Sequence, residues 1–114
     1  MIPDELRALA DRVVACRHWR PMRGMRDLQG RTWTPDLLWR WHPHDRPDLS
    51  DPATVGCLLA LVREAWGDPA LCVLMELHGD WYWSVGRGEA ATALRGQGAT
   101  TEAEALVVAL EAAP

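Results

Sequence analysis

Residues 71–86 read LCVLMELHGDWYWSVG, and how this stretch folds back on itself decides the fold class. Leu71, Val73, Met75 and Leu77 recur every second residue, as do Trp81, Trp83 and Val85. That period of two places each set on one face of a strand. His78-Gly79-Asp80 lies between the runs, so the stretch predicts a β-hairpin of 71–77 with 81–86. A two-residue Gly-Asp turn would pair His78 with Trp81 and bring Glu76 and His78 to the tryptophan face. A three-residue turn pairs Leu77 with Trp81 and gathers the large apolar residues on one face, and the apolar pattern favours it.

Helical signals surround the hairpin. In DPATVGCLLALVREAWGDP, residues 51–69, Asp51 suits an N-cap and Pro52 the first turn. Val55, Leu58, Leu59, Val62 and Trp66 share one face, Gly67 stops the helix and Pro69 prevents its return. TEAE, from Thr101 to Glu104, matches a capping box, after which Ala103, Leu106, Leu110 and Ala113 face the core. At the other end, PDELRALADRVVAC puts Ile2, Leu6, Leu9, Val13 and Cys16 on one stripe, with Asp4 and Glu5 at the positive end of the helix dipole. The expected helices are 3–16, 52–66 and 102–112. A strand is expected near ATALRG (91–96), and weaker ones in MRDLQGRTW and LLWRWH around a turn at Gln29-Gly30. The order α-β-β-α-β-β-β-α then describes an α+β fold, an antiparallel sheet of four to five strands sandwiched with three helices. The expected core is Leu58, Leu59, Val62, Val73, Met75, Leu77, Trp83, Leu106 and Leu110.

A chain of 114 residues fits a single domain spanning 1–114 with one modest core. No apolar run approaches the roughly 18–20 residues that span a bilayer. MIPDELRALADR is acidic and amphipathic, unlike a secretory signal, so a cytoplasmic location is expected. Cys16, Cys57 and Cys72 are odd in number and widely spaced among apolar neighbours, which reads as free thiols packed as small hydrophobes. All 12 basic residues are arginine, a usage that also fits a GC-rich genome. Residues 17–46 hold seven arginines against three aspartates, a balance of +4, while the remainder holds five arginines against 13 acids, or −8.

The stretches at 51–69 and 98–114 (GATTEAEALVVALEAAP) resemble small phage and prophage proteins of unknown function grouped as the phage α/β/α sandwich domain. ACRHWRPMRGMR, residues 15–26, is also similar to the N-terminal part of such proteins. The resemblance implies a sheet sandwiched by helices, a phage-related origin and, with it, the cytoplasm of the host cell. That family offers no catalytic motif to carry over, and residues 30–50 depart from it most.

Four chemistries compete for the segment WRWHPHDRPD, residues 39–48. His42 and His44, with Asp45 or with Cys16 and His18, are ligand types that zinc accepts, but Pro43 separates the histidines and no pair shows the usual zinc spacing. Arg17, Arg20, Arg23, Arg26, Arg31, Arg40 and Arg46, interleaved with Trp19, Trp33, Trp39 and Trp41, are the phosphate-neutralising and base-stacking types of a nucleic-acid or nucleotide surface. The same pairs also make cation–π contacts within one protein, and the chain is acidic overall. TTEAEAL, which opens the last helix, lacks the lysine cluster with which double-stranded RNA binders grip phosphate. No nucleophile elbow, P-loop or zinc-protease motif is present, and Cys16 with His18 reads as a thiol at a helix end rather than a catalytic pair. The chain is therefore expected to be no enzyme and to need no cofactor or metal.

The remaining reading is a protein-binding module. Seven tryptophans exceed the need of one small core, and arginine and tryptophan dominate binding hot spots. The expected binding residues are Trp19, Arg20, Arg23, Arg31, Trp33, Trp39, Arg40, Trp41 and Arg46, with Trp39, Arg40 and Trp41 central. The expected partner is a host or phage protein, with nucleic acid second, no membrane, and a homodimer compatible with the sequence.

Overall fold

The computed structural model describes residues 3–34, 41–75, 79–85, 94–95 and 99–114. Six elements follow in the order α1 (Asp4–Val14), α2 (Pro52–Trp66), β1 (Cys72–Met75), β2 (Trp81–Val85), β3 (Leu94–Arg95) and α3 (Glu102–Ala112).

The helix ends follow their local chemistry. The Asp51 carboxylate caps α2 by accepting from the Thr54 N–H at 3.0 Å, and Pro52 follows it in the first turn. At the other end Gly67 adopts φ 63°, the left-handed conformation that lets its N–H reach the carbonyls of Arg63 and Glu64. The Thr101 hydroxyl accepts from the Glu104 N–H at 3.1 Å, but the Glu104 carboxylate turns to the Thr100 hydroxyl at 3.0 Å, so only half of the expected capping box forms. The first helix ends at Val14, two residues earlier than expected, with Ala15 as its C-cap.

Helix α3 is the centre of the molecule. Ala103, Ala105, Leu106, Val107, Ala109 and Leu110 are all buried, so it is apolar almost all round and packs against α1, α2, β1 and β2. Leu9 and Val13 of α1, Leu58 and Val62 of α2, Leu71 and Trp83 complete the core around it. Trp66, the last residue of α2, donates its indole N–H to the Ala109 carbonyl at 2.9 Å and sets its ring 5.2 Å from that of Trp83. One side chain thus ties two helices and the sheet together.

The antiparallel hairpin of β1 and β2 is present, with Met75 opposite Trp81, Leu74 opposite Tyr82 and Val73 opposite Trp83. Glu76, Leu77 and His78, between the two strands, lie outside the described residues. The register differs by two residues from a Leu77–Trp81 pairing. An even slip keeps every side chain on its face, so Val73 and Met75 share a face with Trp81 and Trp83. Depth along the strand differs, however. Trp83 is buried, Val73 and Leu59 pack half-buried against the core, and Met75, expected to be buried, is 60% exposed at the end of its strand.

The expected sheet of four to five strands is not seen among the described residues. The long pairing is β1 with β2, extended by the two residues of β3, and the order among the described residues is α-α-β-β-β-α rather than α-β-β-α-β-β-β-α. Three helices and an antiparallel sheet are present, so the molecule is α+β, but α3 alone provides the main helical cover of the sheet. The missing strands of the first half have a physical cause. In MRDLQGRTW isolated antiparallel bridges join Arg26 to Thr32 and Asp27 to Pro47, and neither extends into a ladder. Asp27 Oδ1 accepts from the N–H groups of Gln29 (3.0 Å) and Arg31 (2.8 Å), closing the turn that ends in Gly30 at φ 87°. Pro43 and Pro47 lack the N–H that a ladder needs further on. Of LLWRWH, residues 37–40 lie outside the described residues.

Candidate functional site

The segment between α1 and α2 is held by ions rather than by regular structure. Asp27 and Asp45 are buried, 1% and 4% exposed, and the Arg31 guanidinium lies between them. Its Nε donates to Asp27 Oδ2 at 2.9 Å and its Nη2 to Asp45 Oδ1 at 3.1 Å. Asp45 Oδ2 accepts the backbone N–H of His42 at 2.6 Å, so both carboxylates are satisfied by one cation and by main-chain donors. The Arg46 side chain donates to Asp11 Oδ1 of α1 at 2.8 Å and to the carbonyls of Pro43 (2.8 Å) and Asp45 (2.9 Å). Two further bonds stitch the segment to itself and to α2: Leu28 N–H to the Arg46 carbonyl (2.9 Å), and Arg26 N–H to the buried Thr54 hydroxyl (2.8 Å).

On this frame Trp19 and Trp41, far apart in sequence, meet with ring centroids 5.9 Å apart at 57°. Both are half-buried, and Trp19 packs against the core from α1's exit. Trp33 is half-buried as well. Its backbone bonds to Met25, but its indole N–H is buried with no hydrogen-bond partner. Arg20, on the same exit, forks onto Glu64 of α2 through two bonds of 2.9 and 2.8 Å. That fork holds the Glu64 carboxyl below its ordinary range and raises the Arg20 guanidinium, both on an exposed surface. Arg23 is exposed and engaged with the rest of the protein. Trp39 and Arg40, the expected centre, lie outside the described residues.

Of the nine expected binding residues, the structure therefore brings Trp19 together with Trp41 and pairs Arg20, Arg31 and Arg46 with carboxylates of the chain itself. Sequence reasoning missed Asp27, and weighed Asp45 only as a zinc ligand, although the two build the frame. Their local signals were an aspartate three residues before a glycine in DLQG and an aspartate closing HPHD, both turn-forming patterns.

The His42 and His44 rings stack 5.6 Å apart and nearly parallel, with His44 Nε2 at 3.7 Å from Asp45 Oδ1. Among the described residues no group of three or more histidine, cysteine or acidic side chains is placed to hold a metal ion. Cys16 donates its thiol to the Arg12 carbonyl, and burial pushes that thiol up, away from nucleophilic ionisation. His18 Nε2 lies 2.7 Å from the Pro114 carbonyl oxygen. Cys57, too, is raised by burial, and all three cysteines are free. No helix among the described residues is long and apolar enough to cross a membrane. Comparison of the chain with protein-family models, curated proteins and solved structures finds no match.

Proposed function

We propose that this chain works by binding another protein, without catalysis, through the face carrying Trp19 and Trp41. The observation that supports this most directly is the Trp19–Trp41 pair held half-buried on a segment braced by the Asp27–Arg31–Asp45 bridge. Indole rings offer large contact area with few rotatable bonds, and a surface already fixed by internal ion pairs loses little entropy on binding. Nucleic acid is the weaker occupant of the same face. Arg20, Arg31 and Arg46 each already sit within 3.1 Å of a carboxylate, and a phosphate would have to displace that partner.

The resemblance of the helical stretches to phage α/β/α sandwich proteins makes a host or phage protein the partner, in the cytoplasm of the host cell. Stoichiometric blocking needs a surface and no active site, so an anti-defence inhibitor or adaptor is the specific form of this reading.

Affinity capture from a bacterial lysate, with and without nuclease, tests it. The expected result is a discrete protein retained after nuclease and through added salt, and lost in Trp19→Ala and Trp41→Ala variants that keep the wild-type circular dichroism. Truncating a true hot spot weakens binding by about 2 kcal/mol or more. Recovery that is nuclease-sensitive and falls steeply with salt would overturn the proposal in favour of nucleic acid.

A further inference from the structure

A second surface shares no residue with the tryptophan pair. Where the first turns of α1, α2 and α3 come together, an open groove of about 480 Å³ has an apolar floor of Leu6, Leu49, Pro52, Val55, Leu59 and Ala103. Leu49 and Ala103 are buried, whereas Leu6, Val55 and Leu59 remain half-buried. Gly56 lies on the α2 wall, and a Cβ placed there would meet nothing within 4 Å. On the other side of Leu6 a second hollow of about 440 Å³ runs between α1 and α3. Together they fall within the roughly 300–1,000 Å³ of a binding cleft.

The rim is acidic. Glu5 and Glu102 are exposed and form no ion pair among the described residues, while Arg12, which lines the second hollow, is forked onto Glu111. Carboxylates in the first turn of a helix offset its dipole, which accounts for their sign there. It does not account for the apolar floor between them.

We infer that this groove is a docking site for a basic amphipathic segment of a partner protein, its apolar side chains on Leu6, Val55 and Leu59 and its arginines or lysines against Glu5 and Glu102. A helix laid into an apolar cleft with charges matched at the rim is an established mode of peptide recognition, and opposite charge at the rim selects the partner by sign.

The test uses two synthetic peptides in fluorescence anisotropy with the full chain. One is an amphipathic helix with leucines at i, i+3, i+4 and i+7 and arginines elsewhere; the other carries glutamate for every arginine. The arginine peptide should bind saturably and at least about tenfold more tightly than its glutamate twin. Gly56→Leu, whose Cβ meets nothing in the free protein, should weaken that binding at least about tenfold, as should the double variant Glu5→Lys/Glu102→Lys, while Trp41→Ala leaves it unchanged. Equal affinity for the two peptides, no saturable binding up to about 1 mM, or indifference to Gly56→Leu in a variant that folds overturns the inference. So does sedimentation showing a wild-type dimer that becomes monomeric on Gly56→Leu, because a second copy then occupies the groove.

Discussion

Replacing Arg31 by methionine is the most searching test of the ionic frame. The guanidinium makes two bonds to carboxylates, of 2.9 and 3.1 Å, and the side chains of Asp27 and Asp45 are 2% and 1% exposed. Hydrogen bonds to charged groups contribute about 1.5–3 kcal/mol each, so two of them set a range of about 3–6 kcal/mol. Two features push the value to the low end. The Arg31 side chain is 44% exposed, so solvent screens its charge. The carboxylates also keep their backbone donors, Gln29 and Arg31 for Asp27 and His42 for Asp45. A loss of about 3 kcal/mol is expected, a large part of the roughly 5–15 kcal/mol that holds a domain together. Urea unfolding followed by fluorescence reads it as a midpoint lowered by about 2 M for a slope near about 1.5 kcal/mol per molar. The cause is two buried charges left without a cation, so Arg31→Met combined with Asp27→Asn and Asp45→Asn should recover part of the loss. A cost below about 1 kcal/mol, the range of an exposed pair, refutes the reasoning. So does a triple variant no more stable than Arg31→Met alone.

Two glycines should respond in opposite directions in the same unfolding assay. Gly56→Ala, in the middle of α2 with free space around its Cβ, should raise stability by about 0.5–1 kcal/mol, while Gly67→Ala, at φ 63°, should lower it by about 1 kcal/mol. Equal effects would contradict the assigned backbone at Gly67. For the thiols, burial raises both Cys16 and Cys57, and the thiolate is the reactive form. Their alkylation by iodoacetamide at neutral pH should therefore be slower than that of a free cysteine, with the rate-against-pH curve displaced to higher pH. Alkylation matching free cysteine at neutral pH contradicts this.

The local code of the chain was sufficient for the helices and for the existence of the hairpin. Asp51, Pro52 and Gly67 act on backbone groups within a turn of themselves, and the apolar stripes of α1 and α2 repeat at the helical period, so their consequences are readable from neighbours alone. Alternation at 71–75 and 81–85 likewise fixed which residues share a face, and an even slip in register left that grouping intact. Other features were decided by residues distant in sequence. Met75 carries the strand pattern of a core residue, yet at the end of β1 it is 60% exposed, so its place along the strand and not its face decides its burial. The arginines of residues 17–46 read as free positive charge because their partners are distant: Asp11 lies 35 positions from Arg46, and Glu64 lies 44 from Arg20. Trp19 and Trp41 become a pair only in the folded chain, on a segment that the Arg31 bridge braces. Charge and aromaticity are properties of residues and are written in the sequence. Whether a charge is spent inside the molecule, or an indole reaches its surface, is settled only when long-range contacts choose between internal partners and solvent.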